Sequence, residues 1–187
     1  MSDLDEVLTE LAEVNHRGAV FLLAYGTTWL VCAALWRTVG ARPAALATLF
    51  QGMVALPVAL GAAAGLGMLA ARPGGGSIAQ LGLLISMSQL LVLPLLVVLT
   101  ARGRHSMVPL VFSLAGAVHF VPFAWLYQSL LYIVMPVILA VGLAAVYGTD
   151  EAVREGEALS ATGAGRVCAL TGATLLVTGA LAILAPV

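Results

Sequence analysis

Five stretches of this 187-residue chain contain no Asp, Glu, Lys or Arg: residues 18–36, 43–71, 73–101, 106–148 and 167–187. A helix needs about 20 apolar residues to cross the hydrocarbon core of a bilayer, because in lipid every backbone amide must be satisfied within its own segment. Four of the stretches hold one span each and 106–148 holds two, which predicts six membrane-spanning helices. The reversal inside 106–148 has to fall near Tyr127-Gln128-Ser129, where polar groups can meet headgroups; if it does not, that segment is one broken helix and the count is five. With 61% hydrophobic and 9% charged residues, the chain could not cover the surface of a soluble domain of this size. The expected fold class is all-α, an integral membrane bundle.

Residues 1–17 read as a separate unit. Leu4, Val7, Leu8 and Leu11 recur at helical spacing with Asp5, Glu6, Glu10 and Glu13 elsewhere on the wheel, so a short amphipathic helix is expected, with Ser2 and Asp5 forming its cap. Its acidic face is unlike that of helices that lie on anionic lipid, and packing against the protein's own loops is the expectation. No basic leader precedes it, so insertion is expected to rely on the first span. Residues 18–187 form a single transmembrane domain, with a flexible joint at Gly74-Gly75-Gly76.

Arginines orient membrane proteins. Six spans put Arg37, Arg42, Arg102, Arg104, Arg154 and Arg166 on one side and only Arg17 and Arg72 on the other. The expectation is a cell-membrane protein with the arginine-rich loops cytoplasmic and both termini outside. A net charge of −1 without a basic tract does not point to nucleic acid. Cys32 and Cys168 fall within spans, where packing is expected rather than a disulfide or a metal site; no cofactor is implied.

Small residues mark the packing faces. Ala55, Ala59, Ala63 and Gly67 recur every four residues with Gly61 and Gly65 on the adjacent ridge, and Gly165, Ala169, Gly172 and Gly179 do the same in the last span. Such ridges let backbones approach closely, within one chain or between copies in a homo-oligomer.

All nine acids lie in the N-terminal helix or in 150–157, which argues against a proton pump, a sodium-coupled carrier or a di-metal hydrolase, whose carboxylates sit near mid-membrane. His119 is the exception among inert spans. Its neighbours Ala115 and Gly116 leave room, Pro122 breaks the local ladder, and Gln51, Ser86 and Gln89 could reach it from other spans. Phe120, Phe123, Trp125, Tyr127 and Tyr132, with Tyr25 and Trp29 on the first span, are candidate walls for a hydrophobic ligand. Trp125 and Tyr127 also suit a membrane interface.

The order LGLLISMSQLLVLPLL followed by AGAVHFVPFAWLYQSLLYIVMP resembles an uncharacterised family of small bacterial multi-pass membrane proteins, a domain of unknown function. The resemblance covers residues 81–136 and, more loosely, the first two spans with Gly18, Phe21 and Pro57. Its most specific parts are HF-x-P-F-x-W-L-Y, Gln89 and Pro94. It implies a helical membrane fold and draws attention to Gln89, His119, Trp125 and Tyr127, without supplying a reaction.

Three functional expectations follow. The first is a cavity that binds or translocates a hydrophobic or amphipathic small molecule beside His119, with membrane lipid as surroundings. The second is a membrane-embedded enzyme such as a terpene (prenyl) cyclase or isomerase, in which His119 moves a proton and π faces steady a cation; the lack of a strong acid stands against it. The third is a scaffold subunit.

Overall fold

The computed structural model describes residues 3–70 and 75–184, and among these there are helices and no strand. The cap suggested at Ser2 and the joint residues 71–74 lie outside the described residues. A short helix, α1 (Asp3–Val14), leads through a turn at His16–Gly18 into α2 (Ala19–Thr38). The second span is α3 (Ala41–Phe50) and α4 (Gly52–Gly65); the third is α5 (Gly75–Ser88), a 3₁₀ turn (Gln89–Val92) and α6 (Leu93–Ala101). Then come α7 (Met107–Leu126), α8 (Leu131–Thr149), the one-turn α9 (Glu151–Arg154) and α10 (Ala161–Leu184). Among the described residues, six helical segments are long and apolar enough to cross a membrane: His16–Thr38, Ala41–Gly65, Gly76–Ala101, Met107–Leu126, Leu131–Thr149 and Ala161–Leu184. The reversal between the fourth and fifth falls at residues 127–130, where Gln128 takes a left-handed conformation, so the count is six and not five.

The centre of the bundle is the antiparallel pair α2–α10. Apart from Cys32, the buried positions on α2, Ala19, Leu22, Gly26, Trp29, Ala33 and Trp36, follow alternating steps of three and four, the pattern that keeps one seam facing a partner helix. On α10, Gly165, Gly172 and Gly179 recur every seven residues along that seam. The backbones meet there: a Cβ added at Gly172 would stand 2.8 Å from the Gly26 carbonyl oxygen, and one added at Gly26 would stand 3.0 Å from that of Gly172. No larger residue fits at that crossing. The ridge Ala55, Ala59 and Ala63 turns the inner face of α4 toward α2. Gly61 and Gly65 differ, since a Cβ at either would meet nothing within 4 Å.

Lipid gives apolar side chains no solvent to escape from, so hydrogen bonds between helices supply much of the specificity, each worth about 0.6 kcal/mol on average. The Trp36 indole donates to Thr48 on α3 (3.2 Å), whose hydroxyl lies 4.0 Å from the Cys168 sulfur on α10. Ser113 on α7 shares a 2.8 Å hydrogen bond with Thr171 on α10. Thr28 on α2 donates to the Gln51 side-chain oxygen at the break between α3 and α4. The third span breaks at Gln89–Val92 just ahead of Pro94, which has no N–H to continue the ladder. That span touches the rest of the bundle mainly through α7, and Leu96 is its one buried residue in α6.

Leu8 and Ala12, four apart on α1, are buried, so the acidic helix packs on the protein with its charges outward. At the other end Asp150 clamps the joint before α10. Its carboxylate accepts from the Ser160 hydroxyl (2.6 Å) and amide (3.0 Å), and the Ser160 oxygen in turn accepts from the Gly163 amide (2.9 Å), capping α10. Burial pushes the Asp150 carboxyl up, but hydrogen bonds from Ser160 and from the Val153 and Ala152 amides together outweigh it and hold the group below its ordinary range.

Enlarging Gly172 to Leu is expected to destabilise the protein by about 1–3 kcal/mol through overpacking against α2, whereas Gly61→Leu leaves thermal unfolding in detergent unchanged. Equal effects at the two positions would contradict this account of the seam. Because the folded state favours the Asp150 carboxylate, its contribution is complete above the unfolded value of about 3.9 and fades as pH falls through the lower folded value. The acid limb of a stability profile should therefore flatten in Asp150→Asn relative to the parent.

Candidate functional site

Gly116, Phe120, Phe123 and Tyr127 follow one another at steps of four, three and four, and His119 stands three after Gly116 and four before Phe123, which lines them along one face of α7 and its C-terminal turn. The sharp reversal after Tyr127 brings Tyr132 of α8 back onto the same stripe. Five rings then pack together. His119 meets Phe120 and Phe123 edge-on at 5.4 Å each, Phe123 stacks on Tyr127 at 5.7 Å, and Tyr132 lies 5.5, 5.9 and 6.2 Å from Tyr127, Phe123 and Phe120. These are favoured aromatic separations.

The turn between α1 and α2 roofs the cluster. His16, Arg17 and Gly18 all adopt left-handed backbone (φ 44°, 48° and 73°), a conformation that costs non-glycine residues about 1–2 kcal/mol each. The Tyr132 hydroxyl, on a side chain only 2% exposed, donates to the Arg17 carbonyl and so helps hold that turn. Gly18 is required twice: its φ is positive, and a Cβ would stand 2.8 Å from the Tyr132 oxygen and 3.1 Å from the Tyr127 ring. Arg17 itself is buried.

The flank of His119 that faces the third span is polar. The Ser88 hydroxyl donates to the Ile85 carbonyl at 2.6 Å and stands 3.5 Å from His119 Nδ1, the outer limit of a hydrogen bond. With its one proton directed at Ile85, Ser88 can only accept from the imidazole, so the arrangement favours the Nδ1–H tautomer and leaves Nε2 as an acceptor. The Gln89 amide nitrogen lies 3.5 Å from where a Gly116 Cβ would be, so the glycine admits it to the same level of α7. His119, Gln89, Phe120 and Phe123 are half-buried and Ser88 is exposed.

The other expected residues divide between two places. Tyr25, Trp29 and Gln51 lie away from the His119 rings: Trp29 packs on Phe112 of α7 at 5.7 Å, the Tyr25 ring lies beside Gly52, and Gln51 Nε2 is buried without a hydrogen-bond partner. Ser86 points away, bonded to Gly82 of its own helix, and Trp125, two residues past Phe123, is 49% exposed on the outer face of α7. Among the described residues no three His, Cys, Asp or Glu side chains gather where a metal ion could be held. Sequence reasoning passed over Ser88 and the backbone of Arg17. Ser88 carried a signal, since it precedes Gln89 at the break that Pro94 imposes; the Arg17 carbonyl carried none.

Comparison with known proteins finds that residues 4–178 match the model of a family described as a family of unknown function, DUF7010, well beyond the 81–136 that carry the resemblance in motifs. No curated protein and no solved structure matches the chain.

Proposed function

The chain belongs to this family of unknown function, and on that premise we propose that the bundle binds, or passes along, a hydrophobic or amphipathic small molecule inside the membrane beside His119. The observation that carries the reading is an imidazole half-buried between aromatic rings on one flank and Ser88 and Gln89 on the other, next to a span that the bundle hardly covers. A ligand of this class reaches such a site sideways from lipid, between the third span and α7. Leaving lipid for protein yields no hydrophobic gain, so selection rests on the polar contacts: a hydroxyl donating to Nε2 of His119, with Gln89 beside it and the apolar body along Phe120 and Phe123.

The cyclase or isomerase reading is supported less well, because protonating an alkene demands a strong acid and all nine carboxylates lie outside the spans. We also propose that the arginine-rich side faces the cytoplasm of the cell and both termini the outside, from the bias of six arginines against two.

A photoactivatable prenyl alcohol, incorporated in vesicles with the purified protein, is expected to label α7 or the third span. Loss of the imidazole in His119→Ala should reduce labelling about 3–8-fold, as for one or two hydrogen bonds in lipid, while Trp125→Ala leaves it intact. Undiminished labelling of a well-folded His119→Ala protein would remove the histidine from the site. For orientation, a reporter fused after Val187 that is active only outside the cytoplasm should give signal; activity of a cytoplasm-only reporter there would reverse the assignment.

A further inference from the structure

A cleft of about 530 Å³ opens between α3 and α6 on the arginine-rich side. His105, at its rim, stands two residues before α7, and His119 lies twelve residues into that helix from Met107, about 18 Å along its axis, so the cleft is separate from the aromatic cluster. Its walls differ in character from end to end. Leu49, Phe50 and Val97 line the membrane-facing part, and Phe50 and Val97 stand open to lipid at 54% and 57% exposure. Arg42 and His105 line the part nearer the loops, together with Thr100.

Two features of the polar end call for an anion. Arg42, exposed at the cleft mouth, makes no ion pair among the described residues and is free to meet an anion, and no carboxylate lines the cleft. Nδ1 of His105 is buried with no hydrogen-bond partner, an uncommon and costly condition for a ring nitrogen that can present an N–H. The Thr100 hydroxyl is committed to the Leu96 carbonyl at 2.8 Å, which leaves its oxygen able only to accept and the imidazole and guanidinium as the donors.

We propose that this cleft is a binding site for an anionic phospholipid, its phosphate held by the Arg42 guanidinium at the cleft mouth, with the His105 ring turning to bring its now-buried Nδ1–H to the phosphate and one acyl chain lying along Leu49, Phe50 and Val97. Charge complementarity selects the headgroup, and the continuity of the cleft with the lipid-facing surface selects a lipid over a soluble anion. Basic pockets between transmembrane helices hold anionic headgroups in this manner. Occupancy ties α3 to α6 and so fastens the third span, which otherwise leans chiefly on α7.

The test is native mass spectrometry of the delipidated, detergent-solubilised protein titrated with phosphatidylglycerol or with phosphatidylcholine of the same acyl chains. Phosphatidylglycerol is expected to bind more tightly, with Arg42→Gln and His105→Ala each weakening it about fivefold, the scale of one basic contact at a membrane surface. Arg166→Gln, on the same side but not in the cleft, keeps parental affinity. Equal binding of the two lipids would overturn the proposal, as would equal losses in Arg166→Gln and Arg42→Gln, which signify a diffuse charge effect. Competition by glycerol 3-phosphate at concentrations matching the lipid would overturn it too, because the apolar wall would then contribute nothing. Should Arg42→Gln fail to give a monodisperse protein, His105→Ala decides the matter alone.

Discussion

Direct backbone contact between α2 and α10 is the constraint on which the rest of the bundle depends. Gly26 and Gly172 face each other across it with room for no side chain, and Gly165 and Gly179 continue the approach toward Trp36 and Leu23. In a membrane this closeness is what holds helices together, since dispersion contacts and short hydrogen bonds must supply what water supplies to soluble cores. With α10 seated on α2, Thr171 is presented to Ser113 of α7, and Cys168 to the Trp36–Thr48 pair that secures α3. The third span is clasped less firmly, through the contacts of Ser88 and the Ile85 carbonyl with His119. It is left at the periphery, with Ser88 and Gln89 brought near α7 beside the break that Pro94 imposes.

That arrangement explains why the His119 region combines order and access. On the α8 side it is locked: Tyr132 fills the space under the α1–α2 turn, and its hydroxyl is spent on the Arg17 carbonyl, stabilising a turn that two non-glycine residues adopt at a cost. On the third-span side it is looser, closed by a long Ser88 contact, a hydrogen bond to the Ile85 carbonyl and the approach of Gln89 over Gly116. A site for a membrane-dissolved molecule needs both, a rigid wall to recognise and a yielding one to pass.

The sequence spoke clearly wherever a single periodicity or a single solvent rule governs. Uncharged runs longer than the hydrocarbon thickness became spans, and the polar triplet 127–129 became the reversal that makes them six. The stripe from Gly116 to Tyr127 was readable as one face of α7, so the association of His119 with Phe120, Phe123 and Tyr127 followed from helical spacing. Spacing was no guide to which small-residue ridges are used. Gly61 and Gly65 have the same four-residue step as Ala55, Ala59 and Ala63 a few residues away, yet only the alanines meet another helix. Trp125, grouped with its aromatic neighbours by proximity in sequence, turns outward because two residues along a helix is more than half a turn.

Length, apolarity and the placement of charge were therefore enough to determine a six-span helical membrane protein with an acidic amphipathic leader, because the bilayer tolerates almost no other way of satisfying the backbone. Tertiary structure alone decided the partners. Which glycine faces a neighbour, that Gln51 pairs with Thr28 rather than with His119, that Ser88 and not Ser86 approaches the imidazole, and that Arg42 and His105 share a cleft all depend on helix rotation and neighbour order. Those are set by the sum of many weak contacts between segments far apart in the chain, and no local pattern encodes that sum.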